Sequence, residues 1–166
     1  MAESKYGKYI CTDLKKDIRL PGYRAWEKTM IGQGEFQGRR RMMEHVIWMD
    51  REVVPGAFYS ECVWFWPPTM PGSPMRIITP GRAEGEGGPP PHAHPFPELL
   101  SYFGTDMDHP EELYAEVEFW LEDEKFILDK SFVVYIPAGM THCPLKMHNM
   151  KKPLFHFTIG PGEMYR

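Results

Sequence analysis

The stretch GGPPPHAHPFPELLSYFG, Gly87 to Gly104, sets His92, His94 and Glu98 within seven positions of a chain that has 7 histidines in all. Three prolines lead into it, and Pro95 and Pro97 separate the second histidine from the carboxylate. Side chains two apart on an extended backbone point the same way, so His92 and His94 share a face. The prolines deny the segment a regular ladder and favour a bend, which can bring Glu98 back towards the two imidazoles. Imidazole mixed with carboxylate is the donor set of open, reactive metal sites; closed structural sites favour thiolates.

A complementary segment lies some forty residues downstream, VVYIPAGMTHCPL (133–145). It reads as a buried strand ended by Pro137, a tight turn that Gly139 permits, and His142 opening the next strand. A histidine placed there sits at the mouth of a barrel, a position from which a fourth ligand could come.

Together the segments resemble the paired motifs of the cupin superfamily: His92-x-His94, Glu98 after three intervening residues and Gly104 closing the first, then Pro137-x-Gly139-x-x-His142. The resemblance covers about residues 45 to 160. It implies an antiparallel double-stranded β-helix, the jelly-roll or cupin barrel, holding one divalent metal ion (Mn, Fe or Zn) on His92, His94, Glu98 and His142. The chain departs from the family pattern at the turns. Glu86 stands where a glycine precedes the first histidine, Gly104 comes one residue early, Ser131 replaces a glycine, and Lys146 replaces an asparagine after the last histidine. None of these touches a ligand.

The rest of the chain agrees with an all-β domain. EHVIWM (44–49), AFYSECVWFW (57–66), MRIIT (75–79), AEVEFWL (115–121), KFIL (125–128), SFVVYIP (131–137) and PLFHFTI (153–159) are short, rich in branched and aromatic residues, and divided by turn residues. With 17 prolines and 15 glycines, helix is confined to possible turns in TDLKKDI (12–18) and near Pro110–Tyr114. Residues 1–40 are more polar and read as an irregular arm packing on the barrel or on a partner subunit; residues 41–166 read as the barrel.

A net charge of −4 argues against electrostatic capture of nucleic acid, and the run Arg39-Arg40-Arg41 reads as a solvated turn or a subunit contact. Three cysteines fit neither a disulfide framework nor a zinc knuckle. No signal peptide or membrane span is evident, so a cytoplasmic protein with no membrane partner is expected, as a homodimer acting on a small molecule.

Further site candidates follow from parity. His156 is the acid–base candidate, with Tyr102 sharing the face of Glu98. Arg76, His45 and Trp64 are candidate substrate contacts: the planar fork of an arginine suits a carboxylate or oxo group, and an aromatic wall suits an apolar one. Three imidazoles and one carboxylate leave a divalent ion with net charge +1 and open positions. That favours an anionic or enolic oxygen donor and Lewis-acid chemistry — hydrolytic ring opening, lyase or isomerase — on a small oxo or 1,3-dicarbonyl compound. A non-haem Fe(II) dioxygenase is the alternative, and a non-catalytic small-ligand-binding cupin the second. Cys143, adjacent to His142, leans towards the first, since thiols oxidise readily beside an oxygen-activating iron. Strand parity, however, sends its sulfur away from His142.

Overall fold

The computed structural model describes residues 5–20, 22–29, 31–36, 38–69 and 88–161. Alternation in the sequence becomes alternation in space. β4 (Tyr59–Phe65), reached after the two-residue strands β1 (Glu35–Phe36) and β2 (Arg39–Arg40) and then β3 (Met43–Met49), buries Tyr59, Glu61, Val63 and Phe65. β5 (Glu98–Gly104) follows, then β6 (Glu112–Leu121), which buries Leu113, Ala115, Val117 and Phe119 and turns Glu116 to solvent, as a strand with one wet face must. β7 (Glu124–Lys130), β8 (Phe132–Ile136), β9 (His142–His148) and β10 (Leu154–Gly160) complete the set.

The strands form a five-stranded sheet, β3-β4-β10-β5-β8, a three-stranded sheet, β7-β6-β9, and the small β1-β2 ribbon, all antiparallel. The two larger sheets enclose one core, in which Val63, Phe65, Leu100, Tyr102 and Leu154 meet Leu113, Val117, Phe119 and Leu145. Leu113, Val117 and Leu154 have no exposed surface. Each such side chain contributes roughly 1.5–3 kcal/mol by leaving water. Gly104 allows β5 to cross close to β6: a Cβ there would lie 1.9 Å from the carbonyl oxygen of Glu112.

Several local expectations are corrected. Residues 110–111 turn, but no helical turn follows; β6 begins at Glu112 because Leu113 and Ala115 are needed in the core. TDLKKDI is not helical either. Its Lys15 reaches across to Asp50 at 2.6 Å and Glu52 at 2.5 Å, which holds the segment along the barrel. The arm's helical pieces are 3-10 turns at Gly7–Tyr9 and Gly22–Thr29. β8, read as buried, is an edge strand with Val133 52% and Tyr135 61% exposed. Arg39 and Arg40 form β2, and the Arg40 guanidinium lies 4.3 Å from the ring centre of Trp66. The expected strand MRIIT and Arg76 lie outside the described residues. All three cysteines are free, and among the described residues no helix is long and apolar enough to cross a membrane.

Candidate metal centre

The two histidine-bearing segments are stapled together through their backbones. The His92 N–H donates to His142 O at 3.0 Å and the His142 N–H returns the bond to His92 O at 2.9 Å. Gly139, in a turn with φ of 81°, donates its N–H to His94 O at 2.9 Å. Glu98 opens β5 just past the bend at Pro95–Phe96. Four side chains separated by up to fifty residues thus meet at one end of the barrel.

Each imidazole is oriented by the same device. Nδ1–H donates to a backbone carbonyl two residues away: His92 to Pro90 at 2.8 Å, His94 to Phe96 at 2.6 Å and His142 to Met140 at 3.1 Å. With Nδ1 tied to the backbone, Nε2 is the nitrogen left to act as a ligand; on His94 and His142 it donates to Glu98 while it carries a proton and offers its lone pair once that proton leaves. Nε2 of His94 lies 3.1 Å and Nε2 of His142 3.4 Å from Glu98 Oε2. Two donors about 2.1 Å from a shared ion and at right angles are about 3 Å apart, so these separations suit a common metal.

The carboxylate is held in turn. The Thr158 hydroxyl, on β10, donates to Glu98 Oε1 at 2.6 Å. Burial alone would raise the pKa of Glu98, but hydrogen bonds from His142, His94 and Thr158 outweigh it and hold the carboxyl well below its ordinary range. Burial opposes charge on His94 too, yet Glu98 raises its pKa above the usual imidazole value. Burial pushes His92 down to about 4, which keeps its ring neutral and available as a ligand.

The donor atoms of His94, Glu98 and His142 all lie within 4.8 Å of one another, and so do those of His92, His142 and Cys143. His142 belongs to both groups. Cys143 therefore faces the ligands rather than away from them. The pairing of β9 with β6 slips by one residue between Leu145 and His142, and Cys143 takes φ of 71° in that bulge, so simple alternation fails and both neighbours are buried.

Other candidates are placed as follows. His156 is buried in the interior, its Nδ1–H donating to Ser101 O at 2.7 Å and its ring stacked on Tyr102 with centroids 4.5 Å apart. Burial pushes its pKa down. Tyr102, expected beside the metal ligands, is a core residue between Phe65 and Phe132, two inward-facing positions along β5 from Glu98. Trp64, expected to meet substrate, is on the outer face of the sheet because Val63 and Phe65 take the inner one; it stacks with Trp66 and meets the tilted ring of Phe155. His45, expected to meet substrate, has no exposed surface, and its Nε2–H donates to Glu61 Oε1 at 2.8 Å.

That contact belongs to an interior network the sequence reading missed. Arg24 of the arm donates to Glu27 at 2.8 and 2.5 Å, to Glu61 at 3.1 and 3.2 Å and to Tyr59 Oη at 3.3 Å, while the Tyr59 hydroxyl donates to Glu61. Glu61 stands opposite Thr158 in the β4–β10 register, so the network adjoins the row that holds Glu98. The inward parity of Tyr59, Glu61 and Val63 was a usable signal for Glu61, as that of His156 was for Thr158; nothing local marks Arg24.

No family model and no curated protein matches the chain. Solved structures do. The DMSP lyase DddQ from Ruegeria pomeroyi DSS-3 is 14% identical, over 95% of this chain and 80% of that one, with a TM-score of 0.42. An RmlC-like cupin from Shewanella frigidimarina NCIMB 400 is 11% identical, over 83% and 88%, at 0.40. In crystal structures of the DMSP lyases RdDddP and RnDddQII the match is 15% identical and covers 63% of this chain, which spans 38% of that one, at 0.33. The order of the antiparallel strands and the meeting of the two motifs at one end of the barrel carry the assignment: the chain has the cupin fold.

Proposed function

We propose that the chain is a metal-dependent cupin enzyme acting on a small oxo, enolic or 1,3-dicarbonyl compound by hydrolytic ring opening, elimination or isomerisation. The observation that carries this reading is the convergence of His94 Nε2 and His142 Nε2 on Glu98 Oε2, with each Nδ1–H of His92, His94 and His142 tied to the backbone. These residues would hold one divalent ion, with His92 as the fourth ligand. Lewis acidity at that position polarises a carbonyl, stabilises an enolate or lowers the pKa of bound water. Thr158 fixes the carboxylate so that the donor set is organised before the ion arrives, and the buried rings of His94 and His142 keep bulk water from competing for it.

The placement of Cys143 favours this reading over dioxygen chemistry. Its thiol stands among the ligands, where an oxygen-activating centre would oxidise it. The test is turnover of a panel of cyclic oxo acids and 1,3-diketones by the metal-loaded protein under strictly anaerobic conditions. Full activity without oxygen supports the reading. Oxygen consumption matched to product would end it in favour of an Fe(II) dioxygenase, and tight binding of a panel compound without turnover would favour a binding protein.

A further inference from the structure

The four ligand residues do not form one symmetrical group. His142 is shared between a nitrogen–oxygen set with His94 and Glu98 and a nitrogen–sulfur set with His92 and Cys143, the donor atoms of each lying within 4.8 Å of one another. His92 belongs to the sulfur set alone, and its ring centre is 4.3 Å from that of the shared His142 but 6.1 Å from that of His94. Cys143 is 4% exposed, and the bulge that turns it inward leaves it on the same strand end as His142.

Two donor sets of different softness that share one ligand sort metals by chemistry. Oxygen donors suit hard ions such as Mn²⁺, whereas thiolate with imidazole suits Zn²⁺ and Cd²⁺. We propose that Cys143 is a ligand for thiophilic ions, forming with His92 and His142 a second coordination mode that competes with the His94–Glu98–His142 mode. On binding, the thiol gives its proton to solvent as the sulfur–metal bond forms, and no electron is transferred. A thiophilic ion so held is drawn off the carboxylate, which makes the centre selective against such ions as cofactors. This rests on the metal-site reading of the previous subsection and adds a ligand to it.

The experiment uses the full chain with Cys11→Ser and Cys62→Ser, so that Cys143 is its sole thiol. The protein is stripped with a chelator and titrated separately with Cd²⁺ and Mn²⁺, binding being followed by equilibrium dialysis and ultraviolet absorption. The expected result is a thiolate-to-cadmium charge-transfer band that saturates at one equivalent. Adding Cys143→Ser should abolish the band and lower Cd²⁺ affinity at least tenfold while leaving Mn²⁺ affinity unchanged. Glu98→Gln should do the reverse, weakening Mn²⁺ more than Cd²⁺. Stoichiometric Cd²⁺ without the band would overturn the inference and leave the metal site standing, as would a band that survives Cys143→Ser. Failure to bind either ion would remove the metal-site reading itself, and the inference with it. Because the parent protein has one thiol, its band decides the matter even if Cys143→Ser does not fold.

Discussion

Thr158 is the single hydroxyl that holds the carboxylate of the candidate centre. Its one hydrogen bond to Glu98 Oε1 fixes which carboxylate oxygen faces His94 and His142. Thr158→Val keeps the shape and removes the bond. It should lower metal affinity about 10–100-fold, the usual effect of losing a partner behind a ligand. It should cost about 1 kcal/mol of stability, or more if the buried carboxylate is left underbonded. Chelator competition and urea denaturation measure the two, and unchanged affinity would show that Thr158 does not position Glu98. At this scale the candidate ligands were legible because two short segments fix them by spacing: a bend after His94, a turn before His142. Cys143 was not, because a bulge is a property of strand pairing and alternation along one strand cannot reveal it.

The 3-10 turn over Gly22–Thr29 is the element with the largest unforeseen role. Three residues per turn stack Arg24 directly beneath Glu27, and both enter the barrel to meet Glu61. Arg24→Leu leaves Glu27 and Glu61 buried without their cation, which should destabilise the fold by about 3–5 kcal/mol in urea denaturation. A shift within error would contradict the network. Acid should act through Glu61, whereas burial raises the pKa of Glu27 and so does not oppose its protonation. Burial favours the neutral form of Glu61, but Arg24, His45 and Tyr59 outweigh it and hold its pKa below the ordinary value. A depressed carboxylate contributes stability that is complete above the unfolded value of about 4.3 and is lost as pH falls towards the folded one. The urea midpoint should therefore drop below about pH 4.3, and the Glu61→Gln variant should show a shallower drop; parallel pH profiles would refute the assignment. Several of the longer strands were legible from period-two alternation, as in β6, whereas the two-residue β1 and β2 were not and β8 was misread as buried. The arm's helical turn was not, because its cause is Glu61, more than thirty residues away.

Across the whole molecule, sheet closure depends on close backbone approaches. Gly104→Ala would drive a methyl group into the carbonyl of Glu112, so it should unfold the protein or lower its melting temperature by several degrees in a thermal scan; a wild-type transition would show that β5 and β6 can part at no cost. The motif glycine was read as closing a segment, and the structure supplies the reason. Ser131, which departs from the family pattern, accepts the Gly104 N–H at 3.0 Å and donates to Pro110 O at 2.8 Å, so the substitution secures the same corner. We propose that the molecule is a homodimer, in keeping with the exposed Val133 and Tyr135 on the edge strand β8 and Leu99 beside them. Light scattering should give twice the chain mass, and Tyr135→Lys should lower it; a monomer for the unmodified chain would exclude the proposal. Global legibility was high because many short alternating strands allow few folds; the pairing of His92 with His142 across the barrel followed from the resemblance.

In the proposed metal site, side chains from two distant segments grip one cation. Metal content per folded chain tests it most directly, by elemental analysis after exhaustive dialysis of manganese-loaded protein, wild type beside His142→Ala. One ion per wild-type chain and almost none in the variant are expected, with the same far-ultraviolet circular dichroism. A folded His142→Ala protein that keeps its full complement of metal would contradict it.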